Sequence, residues 1–283
     1  MNQARKFFFI IVILFLCMVL GSSFVYGGPI RKPVIYSYYW PIAKGQKDLL
    51  QLNMATPTII DVPWQENNPK WQEAKAYWEK KDKTILHRIK PFTDSVKWFK
   101  TDDEMYTHFS KNIEKAKGIA IDELVLKTLT KKGGARFVNV LKRIRSAYPD
   151  KIIAVWCAGD WSSENAFVLR AIKDYADIYL PEIYISQKEA KRNGFNAFRV
   201  HIENSEKHAP GISTKTVVGL GAYPKMADDP AQNFYDHLTA QIRLLGKDST
   251  FHTILGIAIY KPVYLSAEDQ KKIDGEIKKY FSR

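Results

Sequence analysis

Cysteine is scarce in this chain, and its scarcity excludes two kinds of architecture. The sequence holds two cysteines, Cys17 and Cys157, and the first lies in an apolar N-terminal run. If that run is removed, Cys157 stands alone, so no disulfide can form within the chain and no Cys-Cys-His zinc site can be built. A disulfide framework and that class of zinc site are therefore excluded for the processed chain.

Motifs that bind phosphate or activate a nucleophile are also missing. The sequence contains no G-x-G-x-x-G, no P-loop, no G-x-S-x-G and no H-E-x-x-H. An open, doubly wound sheet usually carries a glycine-rich loop after its first strand. Here the first β-rich run ends in Tyr38-Tyr39-Trp40-Pro41. We therefore disfavour a nucleotide-binding sheet and predict neither a cofactor nor a resident metal.

Acidic residues are fewer than basic ones, with 30 Asp and Glu against 43 Lys and Arg, a net charge of +13. Arg5 and Lys6 are the charged residues of the first 27, so the remainder keeps +11. A positive balance favours anionic surfaces such as cell-wall polymers or acidic glycans. The lysines alternate with acids, as in Glu79-Lys80-Lys81-Asp82. We therefore expect a solvated surface and no nucleic-acid groove.

The N-terminus has the order of a secretory signal peptide. Positive Arg5 and Lys6 precede an apolar run over residues 7–20, and small residues follow up to Gly27 and Gly28. The run is short for a membrane span, which needs about 20 residues. We predict cleavage after residue 27, no stable span afterwards, and a secreted, periplasmic or cell-surface protein. An uncleaved N-terminal anchor is the alternative.

The rest of the chain alternates between β-rich runs and helical patterns. Most of the runs are apolar on both faces, as buried parallel strands require. Their first residues lie between 24 and 39 positions apart, about the length of a βα unit. The eight runs are Val34–Tyr39, Thr58–Val62, Thr84–Ile89, Gly118–Glu123, Lys151–Cys157, Asp177–Ile185, Thr216–Ala222 and Thr253–Tyr260.

Helices are predicted between these runs from apolar periodicity and capping residues. Ser266 and Asp269, for example, have the spacing of a capping box, with Asp in place of the usual Glu. Eight βα units without a linker predict one α/β domain over residues 28–283, a (β/α)8 TIM barrel. The predicted helices cover Asp102–Lys117, Ala135–Tyr148, Ser162–Tyr175, Pro230–Leu245 and Ser266–Phe281.

Aromatic side chains stand at nearly every predicted strand end, where the active site of such a barrel lies. Flat rings with a polar edge suit the faces of sugars, and this predicts a carbohydrate partner. For any single ring, filling of the barrel top is the alternative. The substrate-binding candidates are Tyr38, Trp40, Trp64, His87, Arg88, Trp156, Trp161, Tyr184, Tyr223 and Tyr260, and Tyr36 is a further aromatic candidate.

Carboxylates follow two of the buried strands. Asp122 and Glu123 end the fourth run, and Glu182 lies inside the sixth. A buried carboxylate is costly unless it is paired or functional. Glycoside hydrolysis uses two carboxyl groups about 5 to 9 Å apart, one of them with a raised pKa. We predict Glu123 as general acid, Glu182 as nucleophile or base, and Asp122 as the residue that orients its neighbour.

The fourth run, Gly-Ile-Ala-Ile-Asp-Glu, resembles the strand-four segment of barrel glycoside hydrolases. It is similar to the chitinase-like D-G-x-D-x-D-x-E pattern, with Asp122 in place of the Asp nearest the catalytic Glu. Ala120 replaces an earlier Asp, Glu123 comes one residue too early, and Leu124 stands where the family has its Glu. The resemblance therefore implies the wider glycoside hydrolase superfamily and not the chitinase mechanism.

Three alternatives remain open at this stage. Glu182 can be a structural partner of His87, Arg88 or Lys261, in a buried ion pair. The acids can bind a divalent metal together with Asp61 and His87, although the H-x-H of metal-dependent barrel hydrolases is missing from the first run. Finally, the barrel can bind a glycan or cell-wall polymer without cleaving it, since binding and cleavage need the same aromatic residues.

Overall fold

Eight parallel strands form the centre of the protein. The computed structural model describes residues 34–37, 58–60, 67–92, 99–223, 226, 235–260 and 264–281. The strands are β1 Val34–Ser37, β2 Thr58–Ile60, β3 Thr84–Ile89, β4 Gly118–Val125, β5 Ile152–Ala158, β6 Ile178–Pro181, β7 Val217–Gly221 and β8 Gly256–Tyr260.

The strands follow one another around a barrel in chain order. Parallel ladders join each strand to the next from β1 to β6, and further ladders join β7 to β8 and β8 to β1. Two single parallel bridges, Tyr179 with Thr216 and Glu182 with Gly219, connect β6 to β7. The predicted (β/α)8 architecture is confirmed, and it places the carboxyl ends of all eight strands at one rim.

Helices connect successive strands from β2 to β8, and one more helix follows β8. Their amphipathic faces pack on the outside of the sheet, as βαβ crossovers require. Within the described ranges, none of them combines the length and the apolar character that a membrane crossing needs. The helices are α1 Pro69–Lys80, α2 Asp102–Ile113, α3 Lys131–Ala147, α4 Ala166–Tyr175, α5 Gln187–Asn193, α6 Asn196–His208, α7 Tyr235–Lys247 and α8 Ala267–Phe281.

The core has an inner and an outer layer because side chains alternate along each strand. The outer face of the strands packs against the helices in two large apolar clusters. A smaller cluster fills the barrel interior and is built from Leu86, Ala120, Ala154, Trp156, Ile178, Leu180, Val217 and Ala258. Residues that point into the barrel alternate along each strand with residues that point outward, and we call the two sets the inner and the outer parity. Residues of the inner parity that lie beyond this cluster, toward the carboxyl ends of the strands, face the barrel mouth.

Three helix boundaries differ from the sequence prediction by four residues. Helix α3, expected to begin at Ala135, begins at Lys131, directly after its cap Thr130. The helix expected from Ser162 begins at Ala166, because the Asn165 side chain accepts a hydrogen bond from the Ser162 N–H at 2.8 Å and holds a turn there. The helix expected to reach Lys117 ends at Ile113. The predicted cap of the last helix is present: the Asp269 N–H donates to the Ser266 hydroxyl at 3.0 Å.

Candidate active site at the barrel mouth

A bulge in β4 places two adjacent carboxylates at the mouth of the barrel. Ile121 pairs with Val155 and Leu124 with Cys157, so Asp122 and Glu123 together oppose Trp156 of β5. Glu123 has φ of 59°, in the left-handed region that non-glycine residues rarely adopt. Without the extra residue, Glu123 would have the outer parity. The bulge explains how Glu123 reaches the rim although it comes one residue too early for the chitinase-like pattern.

Two cationic side chains, Arg88 in β3 and Lys90 just after it, form ion pairs with these two carboxylates. Arg88 has the inner parity, and its Nε donates to Asp122 Oδ2 at 2.6 Å while Nη2 also pairs with the same oxygen. Arg88 Nη2 lies 3.5 Å from Glu123 Oε1, and Lys90 Nζ lies 2.6 Å from Glu123 Oε2. Asp122 is nearly inaccessible, whereas the Glu123 side chain is 35% exposed. Of the two β4 carboxyl groups, Glu123 is thus the one that a ligand can reach.

Glu182 is the carboxyl group at this rim whose pKa is raised most clearly above its ordinary value. It follows β6, and its backbone N–H donates to the carbonyl of Cys157 at 2.9 Å. Burial, together with the negative charges of Asp122 and Glu123, raises its pKa to about 8. Arg88 opposes this effect weakly because it is committed to the β4 acids. Glu182 therefore keeps its proton at neutral pH.

Among the described residues, the Glu182 carboxyl is not paired with Arg88 or His87, which are two of the three partners that the sequence left open. Arg88 pairs with the two β4 acids instead. His87 has the outer parity of Ile85 and Ile89, and its side chain lies between the sheet and the helices. Lys261, the third proposed partner, lies outside the described residues.

Four aromatic rings at or just beyond the carboxyl ends of β5, β6, β7 and β8 pack together beside Glu182. Tyr184 stacks on Tyr260 with ring centroids 5.3 Å apart, and Tyr223 meets both rings edge-on at 6.1 and 5.6 Å. Trp156 meets Tyr260 edge-on at 6.2 Å. Burial, with Glu182 among the further causes, raises the pKa of all three tyrosines, so their hydroxyls remain protonated donors.

Two of these aromatic side chains carry buried donors that lack a partner. The Tyr184 hydroxyl and the Trp156 indole N–H have no hydrogen-bond partner of standard geometry among the described residues. The indole N–H nevertheless lies near Glu182 and weakly favours its ionised form. Buried donors without partners are costly in a folded protein. At a barrel mouth, a ligand oxygen can supply the missing acceptor.

Glycine residues of β7 make room for these rings. A Cβ on Gly219 would lie 3.0 Å from the Pro181 carbonyl oxygen, and a Cβ on Gly221 would lie 2.9 Å from Cε1 of Tyr223. Both glycines have the inner parity, so their missing side chains leave space inside the barrel. The residues of the Val-Val-Gly-Leu-Gly run thus shape the mouth without contributing a functional group.

The structure separates the predicted site residues into three groups. Glu123, Glu182, Asp122, Arg88, Trp156, Tyr184, Tyr223 and Tyr260 meet at the rim. His87 and Trp161 do not. Tyr38, Trp40 and Trp64, together with Asp61, lie outside the described residues, as do the side-chain contacts of Tyr36.

Trp161 belongs to the outer layer, which corrects its assignment as a sugar-facing residue. It is 3% exposed and packs in the cluster between the sheet and the helices. Its indole N–H donates to the Tyr179 hydroxyl at 2.7 Å, and that hydroxyl also lies 3.0 Å from His201 Nε2. Trp161 comes after the loop residues that leave β5, so its strand parity could not be inferred from the sequence.

The described residues do not form a metal centre of the kind that the sequence left open. No group of three or more His, Cys, Asp or Glu side chains is arranged among them to hold an ion. Arg88 and Lys90 bring two positive charges to the β4 acids, and these occupy the oxygens that a cation would need.

Sequence reasoning missed a cleft that adjoins Glu182. It has a volume of about 670 Å³ and lies between the β5–α4 loop, the end of β6 and the helices α5 and α6. Neither of these two helices was predicted. Three features of residues 186–196 could have revealed them: the Ser186–Glu189 capping box, the Gly194 that ends α5, and the apolar positions that follow.

The eight parallel strands and the helices around them define the fold class, which is the (β/α)8 barrel. The chain is similar to the catalytic domain of a family GH18 chitinase from the fern Peteris ryukyuensis, with a TM-score of 0.62 and 10% identity over 88% of this chain and 100% of that one. It is also similar to an endo-β-N-acetylglucosaminidase from Cordyceps militaris, with a TM-score of 0.59 and 12% identity over 87% and 91%.

A third similar structure is a chitinase-like agglutinin from Robinia pseudoacacia, with a TM-score of 0.52 and 9% identity over 84% of this chain and 98% of that one. No protein-family model matches the sequence, and no curated protein matches it. At these identities, the similarity shows a shared fold. The function must be argued from the site itself.

Proposed function

We propose that this protein is a glycoside hydrolase in which Glu182 is the general acid and Glu123 is the ionised carboxylate. The observation that carries the proposal is the pair of opposite environments at one rim. Burial raises the pKa of Glu182 to about 8, while Lys90 and Arg88 hold Glu123 as an anion. Carboxyl groups held in opposite protonation states are the requirement for acid–base cleavage of a glycosidic bond.

These environments reverse the roles that the sequence suggested for the two glutamates. In the proposed reaction, Glu182 gives its proton to the glycosidic oxygen as the bond from that oxygen to the anomeric carbon breaks. Glu123 then acts at the anomeric carbon, either as base to a water molecule or as nucleophile. Asp122 keeps Arg88 in place, and Arg88 in turn favours the anionic form of Glu123.

The substrate class that we propose is a neutral oligosaccharide. The stacked tyrosines offer ring faces to a sugar, and the buried donors of Tyr184 and Trp156 offer hydrogen bonds to its oxygens. Two proteins with this fold are named for cleaving N-acetylglucosamine polymers or conjugates, and this guides the choice of probes. The positive charge of the chain keeps an anionic glycan or cell-wall polymer as a further candidate.

Hydrolysis of a panel of aryl glycosides and N-acetylglucosamine oligosaccharides tests the proposal. Glu182→Gln should bind the substrate and lose at least about 10²-fold in turnover, because an amide has no transferable acid proton. Glu164→Gln, the same substitution at an exposed carboxyl, is the matched control and should keep full activity. Equal turnover in the two variants would contradict the role of Glu182.

A barrel that binds a glycan without cleaving it is the second candidate. It is favoured by the tight ion pair of Glu123 with Lys90 and by the fold similarity to an agglutinin. In that case, the wild type binds oligosaccharides and cleaves none of the panel. Glu123→Gln should then change the affinity alone.

We also propose export of the protein through the N-terminal segment. The charged, apolar and small-residue regions of residues 1–27 support it. Intact-mass measurement of the product of the full-length gene should show the loss of about these residues. A product of full mass would contradict cleavage.

A further inference from the structure

The cleft beside Glu182 has walls that are fixed to each other. One wall is α5 and α6, and the other is the β5–α4 loop with Gly159 and Asp160. Asn204 of α6 donates to the Trp161 carbonyl at 2.9 Å, and His201 of α6 lies 3.5 Å from Asp160. These contacts bridge the two walls. The two walls of the cleft are therefore held in a fixed relation, as the walls of binding sites for small molecules usually are.

The outer wall is also rigid along its own length. Ser186 caps α5, with the Glu189 N–H donating to its hydroxyl at 3.2 Å and the Glu189 carboxylate accepting from the Ser186 N–H at 2.8 Å. Gly194 follows α5 with φ of 60°, which permits the sharp turn into α6. The short helix is thus held at both ends, and its polar side chains keep a defined place along the cleft.

The lining of the cleft suits an uncharged, hydroxyl-rich ligand. Asn193 and Asn196 bring side-chain amides that no other described side chain engages. Val200 is 54% exposed, the largest value for a bulky apolar side chain in the described part of the chain, and it lies in this cleft. Amides next to an exposed apolar patch match the polar edge and the apolar face of a sugar ring.

The charges of the cleft do not favour an anionic ligand. Arg192 faces the carboxylate of Glu189, which is fixed by the helix cap, and Asp160 adds a second negative charge. His201 is buried among neutral groups apart from Asp160. The cleft therefore carries no surplus of positive charge, although the chain as a whole does.

We infer that this cleft is the subsite for the leaving-group sugar, and that it holds neutral units of an oligosaccharide between Glu182 and the helices α5 and α6, with Tyr184 of the tyrosine cluster at its border. Glu182 borders both spaces, since it lines the cleft and lies beside Tyr184 and Tyr223. A general acid stands where the glycosidic oxygen is, between the two sugars that this oxygen joins. The tyrosines then face the sugar that keeps the anomeric carbon. This inference rests on the proposed function.

The test compares substrates with and without a sugar as leaving group. In Asn196→Ala and Val200→Ser, KM for N-acetylglucosamine oligosaccharides of three to six units should rise about tenfold, the effect of losing one hydrogen bond or one apolar contact. KM for glycosyl fluorides should not change, since a single fluoride as leaving group is too small to reach these side chains in the cleft. Glu203→Ser, at an exposed position of α6 outside the cleft, is the matched control.

The same variants are to be titrated by calorimetry with these oligosaccharides in the Glu182→Gln background, where cleavage cannot consume the ligand. An affinity loss of about tenfold supports the subsite even if the wild type hydrolyses nothing, in which case the proposed hydrolysis fails alone. Three results would overturn the inference: an equal rise in KM for glycosyl fluorides and for oligosaccharides in the cleft variants, oligosaccharide binding by these variants as tight as that of the control, or no oligosaccharide binding by the parent protein.

Discussion

The replacement of Glu182 by glutamine should stabilise this protein at neutral pH, and the effect should depend on pH in a defined way. The pKa of the carboxyl is 4.5 in an unperturbed chain and about 8 in the folded protein. Between these values the folded state binds more protons than the unfolded state, so the free energy of unfolding falls as pH rises. The native carboxyl thus costs stability above pH 4.5.

The magnitude follows from the same two values. Each pKa unit corresponds to about 1.4 kcal/mol, so the cost reaches about 3 kcal/mol at pH 7 and up to about 5 kcal/mol above pH 8. Glutamine does not ionise and avoids this cost. The variant should therefore match the wild type near pH 4 and exceed its stability by about 3 kcal/mol at pH 7.

Denaturant unfolding of both proteins at pH 4, 7 and 9 measures this difference, with Glu164→Gln as the exposed control that should show little change at any of these pH values. A buried ion-pair partner would behave in the opposite way, because its loss leaves a cation uncompensated and destabilises by about 3 kcal/mol or more. A variant that is less stable than the wild type at pH 7 would refute the assignment of a raised pKa to Glu182.

Three further outcomes are expected. The value of kcat/KM should fall as pH rises above about 8, because the general acid Glu182, whose pKa burial raises to about 8, loses its proton there. A value of kcat/KM that stays constant from pH 7 to 9 would contradict this. Arg88→Met should lower the free energy of unfolding by about 3 kcal/mol, since it leaves the buried carboxylate of Asp122 without its cation, and chemical denaturation measures the loss. Gly221→Ala should lower stability by about 1 to 3 kcal/mol, because its Cβ would lie 2.9 Å from the Tyr223 ring; unchanged stability would show that the ring can move aside.

The local signals of the sequence located strands better than they located site geometry. All eight β-rich runs contain a strand, because short continuous apolar runs are typical of parallel strands that are covered on both faces. Helices α1, α5 and α6 were missed, since their polar and charged residues outnumber the apolar positions that mark a helix. The placement of His87 failed for another reason: it is adjacent to Arg88, and the parity of a strand puts neighbours on opposite faces.

The sequence by itself determined the barrel, because the order and the apolarity of its strands permit few other folds, and it determined which residue types end those strands. The tertiary structure decided which of them meet and in what charge state. The bulge that turns Glu123 toward Lys90 depends on the register between β4 and β5. The pKa of Glu182 depends on burial and on carboxylates about 60 positions earlier in the chain. Such long-range contacts have no local signal, because they arise only when distant strands share one rim.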